Sequence, residues 1–455
     1  MDAIATQAVE EFRATLSGEL LAPDDPHYDS ARQLNNGMVD KRPALIARVQ
    51  HTADIVDAVR FGQEVGLEIS VRGGGHSVAG RSVTDGGLMI DLEPMKGIHV
   101  DPKTRTARAQ GGVTWGEYNR ATHVFGLATT GGVISTTGIA GLTLGGGVGW
   151  LMAKFGLAID NLLSVEIVTA DGQIRTASED DEPDLFWAVR GGGGNFGVVS
   201  SFEYRAHQVS TILGGLIGFP FSEARNVLDF CRTASDGLPD ELTVFFGLVF
   251  APDGSGERLA AIALCHCGDL AQAEKDVAPF RSLPSVALDA LAPMPYPVVN
   301  TLLDDGYPKG ARNYWKSAFV KELSDEALDI MIDAFARAPS DMNAILLEHC
   351  HGAATRIGAT DTAFPHRDPS YNLGVFGTWL EESDDAVNVA WTKDSYEACQ
   401  SFVAEAAYVN YLDDDDGSRV MSAYGPNWPR LVELKRRYDP QNVFHLNQNI
   451  DPTAG

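Results

Sequence analysis

The sequence is short of cationic charge, of paired cysteines and of long apolar runs. Lysine and arginine number 35 against 62 acidic residues, leaving a formal net charge of -27. A surface of that sign repels phosphodiester backbones and anionic lipid, which argues against nucleic acid or a membrane surface as partner. Five cysteines, at 231, 265, 267, 350 and 399, are an odd and scattered set, so no disulfide framework is expected. Cys265-His266-Cys267 has no second Cys or His pair nearby, and adjacent strand residues point to opposite faces, so no metal is expected there. No uninterrupted apolar stretch reaches the roughly 20 residues that span a bilayer. The first residues lack a basic region followed by an apolar core, so the chain does not read as secreted and a cytoplasmic location is expected.

Glycine is abundant and clustered. Of 455 residues 47 are glycine, and three loops concentrate them. The first is LEISVRGGGHSVAG, where an alternating strand pattern at Leu67, Ile69 and Val71 breaks into Arg72, three glycines and His76. Glycines there let bare N–H groups approach a ligand, which suits a pyrophosphate, and they set an imidazole inside the cradle. The second loop is ATTGGVISTTGIAGLTLGGGVG, and the third lies in DLFWAVRGGGGNFGVV. Three such loops imply backbone wrapped around something flat and phosphorylated. Gly192, Gly194 and Gly197 match G-x-G-x-x-G, but a helical pattern precedes them and a strand follows, the reverse of a Rossmann unit. No Gly-Lys-Ser/Thr follows any glycine run, which excludes a P-loop.

Local patterns place these loops. Ile4, Val9 and Phe12 form one apolar helical face; Thr52 reads as the cap of a helix closed by Gly66; Trp115 to Phe125 reads as a helix ended by Gly126. NLLSVEIVTADGQI reads as two strands about an Asp171-Gly172 turn. After about Ala206 the pattern changes to strands such as ERLAAIALCHCG and AILLEHCHGA alternating with helices such as DEALDIMIDAFARA, which predicts an α+β region with an antiparallel sheet. The tail becomes amide- and aromatic-rich, and Asp413 to Asp416 read as a solvated loop rather than a calcium site.

VRGGGHSVAG, TTGG…GLTLGGGVG, LAIDNLLSVEIVTADG, LFWAVRGGGGNFGVV and YVNY…YDPQNVFHLNQNI, in that order, resemble the berberine-bridge-enzyme-like FAD oxidases of the vanillyl-alcohol-oxidase, or PCMH-type, flavoprotein superfamily, in its bacterial branch. The resemblance runs from about Arg42 to Asp451 and is weakest in the middle third. It implies a PCMH-type FAD-binding domain over residues 1–206, a substrate domain over 207–402 with helices covering an antiparallel sheet, and a C-terminal return over 403–455. The implied activity is oxidation of a carbon bearing OH or NH on a small organic substrate, with O2 as acceptor. A dehydrogenase using another acceptor and a low-turnover flavin carrier are the competing readings. His76 matches the histidine that the family joins to the flavin 8α-carbon. Ile134 stands where many relatives carry a second, cysteinyl link, so attachment through histidine alone is expected. Thr137 falls near the segment resembling the family's oxygen gate.

The resemblance further implies that Arg72, Gly73, Gly74, Gly75, Ser77 and Gly80 wrap the pyrophosphate. Gly131, Gly132, Val133, Gly138, Gly141, Gly145, Gly146 and Gly149 are expected along the ribityl and adenosine side, and Asn195, Phe196, Gly197 and Val199 around the adenine or ribose. Asn410, Asn447 and Gln448 are expected at the flavin ring, although amides at a chain end equally serve turns. Tyr408 and Tyr411 are candidates for the group handling the substrate proton; a phenol that only packs is the alternative for each. Were the segment extended, Tyr408 and Asn410 would share one face. His349 and His351 share a strand face and could look into the substrate cavity, or be satisfied core imidazoles. Thr378 replaces a glutamate that some relatives carry before the tryptophan matching Trp379. Lys316, His366 and Arg367 match family patterns with no assigned role. A monomer or homodimer is expected.

Overall fold

The structure, a computed structural model, describes residues 5–368 and 370–454. The first helix, Thr6–Thr15, buries Phe12, whose ring stacks on Phe61 at 4.2 Å; Ile4 lies outside the described residues. Phe61 belongs to the helix Thr52–Glu64, which begins one position earlier than its sequence signal. His51 is the capping position, and the carboxylate of Asp54 accepts from the N–H groups of Gln50 at 2.8 Å and Ser17 at 2.9 Å. A charged acceptor outcompetes a hydroxyl for these N–H donors. Thr52 instead donates to Glu166 at 2.7 Å.

Three main sheets follow. The first runs in the order Glu19–Leu21, Leu45–Arg48, Leu88–Asp91, Ile69–Arg72, parallel except at its first pair. Its last strand leads straight into the first glycine loop. The second is antiparallel, in the order Ile98–Asp101, Thr106–Gln110, Val198–Arg205, Leu162–Val168, Ile174–Ser178. The helix Pro183–Val189 precedes the third glycine loop and the strand Val198–Arg205 follows it, the reversed order read from the sequence. The third sheet is antiparallel and orders Leu288–Asp289, Thr211–Pro220, Arg258–His266, Leu242–Phe250, Ala344–Cys350, Ser370–Trp379 and Arg312–Val320. Its outer face packs an apolar cluster with the helices Ala224–Ala234, Leu270–Arg281, Asp325–Ala336 and Asp385–Ala398. Its other face looks toward the glycine loops. No helix among the described residues is long and apolar enough to cross a membrane.

The chain end returns to where the chain began. Residues from Ala407 to Ile450 share one apolar cluster with residues from Ala107 to Phe202. Within it Lys435, fully buried, donates to Asp439 at 2.7 Å, to the Asn195 carbonyl at 2.7 Å and to the Phe444 carbonyl at 2.9 Å. Asp439 in turn accepts from the N–H groups of Val443 and Phe444. The acidic run is solvated only in part, at Asp414 and Asp415, and forms the start of a 3-10 turn. Asp413 and Asp416 are buried, Lys316 pairs with Asp416 at 3.0 Å and with Asp415, and the Tyr314 hydroxyl donates to Asp415 at 2.6 Å. A lysine on a strand about a hundred positions upstream pairs with two of its carboxylates, and Lys393, Arg419 and Arg81 reach the run as well, pairings that only the fold brings about.

Replacing Lys435 with Met leaves Asp439 buried without its counter-charge. Denaturant unfolding is expected to show a loss of about 3–5 kcal/mol.

Candidate cofactor and substrate site

One cavity extends from the first glycine loop to the inner face of the large sheet. At one end lie Gly73, Gly74, Gly75, His76 and Ser77. Among the described residues no acceptor takes the N–H groups of Gly74, Gly75, His76 or Ser77. Gly74 and Gly138 cross so closely that a Cβ on either would overlap the backbone of the other. Gly75 has φ +73°, which disfavours any side chain there. The walls add Val133, Ile134, Thr137, Gly138 and Gly141 from the second loop, Gly193, Gly194, Gly197 and Val199 from the third, and Asn410, Asn447 and Gln448 from the tail. Among the described residues, the buried amide oxygens of Asn447 and Gln448 and the Nε of Arg81, all in lining residues, have no protein partner. Free backbone N–H groups on the first loop and orphaned amides on the tail beside it, where Arg81 joins Ser77 to the Asn447 carbonyl, fit a dinucleotide that accepts at its phosphates and pairs along its polar edge.

His76 stands inside this cradle with Nε2 2.9 Å from the Thr136 hydroxyl. Burial pushes its pKa down to about 4, so the imidazole is neutral at physiological pH and keeps a lone pair on one nitrogen. Ile134, buried, also lines the cavity, and no cysteine does.

Several residues expected at the cofactor stand elsewhere. Arg72 turns away from the cavity. Its guanidinium grips Asp91 at 2.7 and 2.8 Å and reaches the Ala31 carbonyl at 2.6 Å, so it braces the strand that delivers the loop. Gly80 packs on Val39, Gly131 lies on the Trp115 ring and Gly149 lies on the Gly131 carbonyl. Gly132 packs near Leu142 and Trp115, Gly145 lies on the Asn410 amide, and Gly146 lies against Phe364 and Tyr408. These glycines let segments approach one another and so shape the wall without lining it. Asn195 is buried, donating to the carbonyls of Gly192 at 2.8 Å and Gln448 at 3.0 Å and accepting from Ile450 at 2.9 Å. It ties the tail to the third loop. Phe196 is a core residue.

At the sheet end the tail supplies Tyr408 and Tyr411. Val409–Tyr411 is a 3-10 turn, not extended, so both rings reach the cavity and meet each other at 5.0 Å. The Tyr408 oxygen accepts from the N–H groups of Gly147 at 3.0 Å and Val148 at 3.3 Å and from the Asn410 amide at 2.8 Å. Burial nevertheless raises its pKa to about 12, and burial beside Glu348 lifts that of Tyr411 well above the ordinary value. Both phenols hold their protons, Tyr408 accepting three hydrogen bonds and Tyr411 donating one. Tyr411 donates to Glu348 at 2.8 Å, and Asn372 donates to the other carboxyl oxygen at 2.6 Å.

Glu348 was not singled out from the sequence. It lines the cavity, is buried, and burial raises its pKa to about 7 despite the two donors. The signal was present in ILLEHCHG, where Leu346 and Glu348 share one face and His349 and His351 the other. The two histidines therefore do not reach the cavity. Their rings lie 4.5 Å apart, His349 lies 5.1 Å from Tyr371, and His351 meets the Leu242 carbonyl at 3.0 Å. Burial lowers the pKa of both. Thr378 is likewise internal, its hydroxyl donating to Asn313 at 3.0 Å. Arg367 grips Asp160 at 2.8 Å through both oxygens and His366 meets the Ala423 carbonyl at 2.7 Å, so both are structural.

Comparison with known proteins agrees with this geometry. A model for the FAD binding domain matches residues 43–178, and one described as berberine and berberine like matches residues 407–451. The chain is 32% identical to (R)-6-hydroxynicotine oxidase of Paenarthrobacter nicotinovorans over 96% of this chain and 97% of that protein. It is 29% identical to an FAD-linked oxidoreductase of Dictyostelium discoideum over 98% of each. The crystal structure of 6-hydroxy-D-nicotine oxidase from Arthrobacter nicotinovorans superposes with a TM-score of 0.88 at 30% identity, covering 99% of this chain and 100% of that one.

A carboxyl whose folded-state pKa is raised binds a proton that the unfolded chain has already released. Glu348 therefore lowers stability as pH rises from about 4.5 to about 7. Glu348→Gln removes that slope, and at pH 8 it is expected to be more stable than the native protein by on the order of 3 kcal/mol, with little gain at pH 4. Urea unfolding of both proteins at the two pH values measures the difference.

Proposed function

The chain belongs to the berberine-like family of FAD-linked oxidoreductases, and from that premise we propose an oxidase that carries FAD on His76 through a single covalent bond. The substrate in this reading is a small organic molecule with OH or NH on the carbon that is oxidised. The observation carrying it is the neutral imidazole of His76 inside a cradle of uncommitted N–H groups, with Ile134 where a thiol would make a second link. A neutral ring nitrogen is the nucleophile that a bond to the flavin 8α-carbon requires. FAD, when bound, supplies the hydride acceptor, and O2 takes the electrons onward to give hydrogen peroxide.

The protein's own groups supply the rest. The N–H groups of Gly74 to Ser77 would hold the pyrophosphate, while Asn410, Asn447 and Gln448 would meet the flavin ring or ribityl chain. Residues 1–206 with 403–455 would form the cofactor-binding part and 207–402 the roof over the substrate. Tyr408 would donate a hydrogen bond that orients the substrate, since burial keeps it protonated, while the single hydroxyl proton of Tyr411 is engaged by Glu348. Glu348 is the lining group whose pKa lies near neutrality, which suits it to take the substrate proton. The aliphatic and aromatic walls keep water from that exchange.

Acid precipitation tests the link. The native protein is expected to leave its yellow colour in the pellet and His76→Ala to release any flavin to the supernatant. Colour lost from the native pellet would overturn the covalent link, and a protein that never carries flavin would overturn the oxidase. Anaerobic addition of alcohols and amines, one at a time, is expected to bleach the flavin absorbance for at least one compound class, and readmitted oxygen to restore it with hydrogen peroxide formed.

A further inference from the structure

A second cavity lies on the other side of the first glycine loop. Gly73, Gly74, Gly75 and His76 line both cavities, so the loop is the partition between them. The second cavity is polar: Arg48, Lys96 and Asp304 line it, and so do Glu93 and Lys309, whose exposure opens it to water. Thr136 lines this cavity and not the first, and its hydroxyl meets His76 Nε2 at 2.9 Å. The other ring nitrogen, Nδ1, has no protein partner among the described residues. Thr136 is firmly placed. The carbonyl of Ser135 before it accepts from Gly116 at 2.8 Å, and that of Thr137 after it accepts from Trp115 at 2.9 Å. The Ser135 N–H in turn donates to Asp304 at 2.8 Å. The Gly74–Gly138 crossing presses the two loops together at the same place.

A neutral imidazole carries one proton and one lone pair, and only the nitrogen with the lone pair can attack carbon. With its proton on Nε2 and donated to the Thr136 oxygen, His76 keeps the lone pair on Nδ1. Once Nδ1 has bonded to carbon the ring is cationic, and it returns to neutrality by losing the Nε2 proton. Nε2 then bears the lone pair and needs a donor. A hydroxyl serves both states: it accepts before the bond forms and, after turning about its C–O bond, donates. A carbonyl could only accept and an ammonium only donate. The released proton has a route through the second cavity, which is polar and open to water.

Resting on the reading of His76 as the flavin attachment point, we propose that Thr136 is a positioning residue for that attachment. Its hydroxyl holds the His76 proton on Nε2, so that Nδ1 forms the bond, and the proton then leaves by the second cavity. In the whole step an N–C bond forms from the Nδ1 lone pair and one C–H bond of the flavin 8α-methyl breaks. The electron pair of that C–H bond passes into the flavin ring, and O2 removes it. Together with the methyl proton and the Nε2 proton, that pair converts O2 to hydrogen peroxide.

Full-length protein made in riboflavin-starved cells is given FAD in air, and acid precipitation at intervals follows the attachment. Thr136→Val keeps the shape of the side chain and is expected to link flavin about tenfold more slowly than the native protein, the worth of one hydrogen bond. Thr136→Ser returns the hydroxyl and is expected to return the rate. Linkage by Thr136→Val at the native rate, or by Thr136→Ser as slowly as by Thr136→Val, would overturn the proposal. The His76→Ala background, where no link can form, separates positioning from a merely structural role. There Thr136→Val is expected to leave the dissociation constant of FAD unchanged, because Thr136 acts through His76 alone; a weakened affinity would sink the positioning role. A native protein that never links its flavin defeats the reading on which this inference rests. Linkage that proceeds equally without the hydroxyl defeats this inference alone and leaves the oxidase reading standing.

Discussion

A single buried ammonium holds the architecture together at the place where chemistry needs it. Lys435 sits at the meeting point of the last helix, the tail segment that follows it and the third glycine loop, and its three hydrogen bonds reach all of them. Asn447 and Gln448 follow directly from that junction and are held further by Arg81, Asn195 and Tyr424. The same return carries Tyr408, Asn410 and Tyr411 to the middle of the cavity. Asn195 repeats the device with a neutral amide, binding Gly192 on one side and Gln448 and Ile450 on the other. Cavity walls drawn from residues almost four hundred positions apart thus depend on a few saturated buried polar groups.

Inside the cavity burial sets the charge state of every group that matters. It keeps His76 neutral, holds the protons on Tyr408 and Tyr411 and lifts Glu348 toward neutrality. Apart from Arg81, the lining groups therefore carry little charge below about pH 7, despite a chain charge of -27. Low local polarity strengthens each hydrogen bond that a bound molecule makes. The acidic excess is handled elsewhere, as with the Asp413–Asp416 run docked on Lys316 and Tyr314.

The glycine loops show how far local sequence carries. Their composition announced close wrapping, and the chain does wrap closely at each of them. The division of labour among the glycines was not legible, because a glycine admits a ligand and a neighbouring segment by the same absence of a Cβ. Gly74 and Gly138 line the cavity while touching each other, whereas Gly131 and Gly149 only touch protein. Arg72 misled for a related reason: an arginine beside a glycine loop reads as a phosphate ligand until Asp91, on the neighbouring strand, is seen to occupy it. His349 and His351 attracted attention through their chemistry, yet the face they occupy depends on which side of the strand meets the helices.

Sequence alone determined the strand and helix pattern around each loop, the reversed order that rules out a Rossmann unit, the lack of a thiol at position 134 and the family to which the motifs point. These are properties of neighbours along the chain, where spacing and residue type act directly. The tertiary structure decided that Tyr408 and Tyr411 reach the cavity together, that Glu348 and not the adjacent histidines faces it, and that among the described residues no cation pairs with that carboxyl. Those facts turn on a 3-10 turn in place of a strand, on the choice of sheet face and on partners far away in sequence, and none of the three is encoded in a local window.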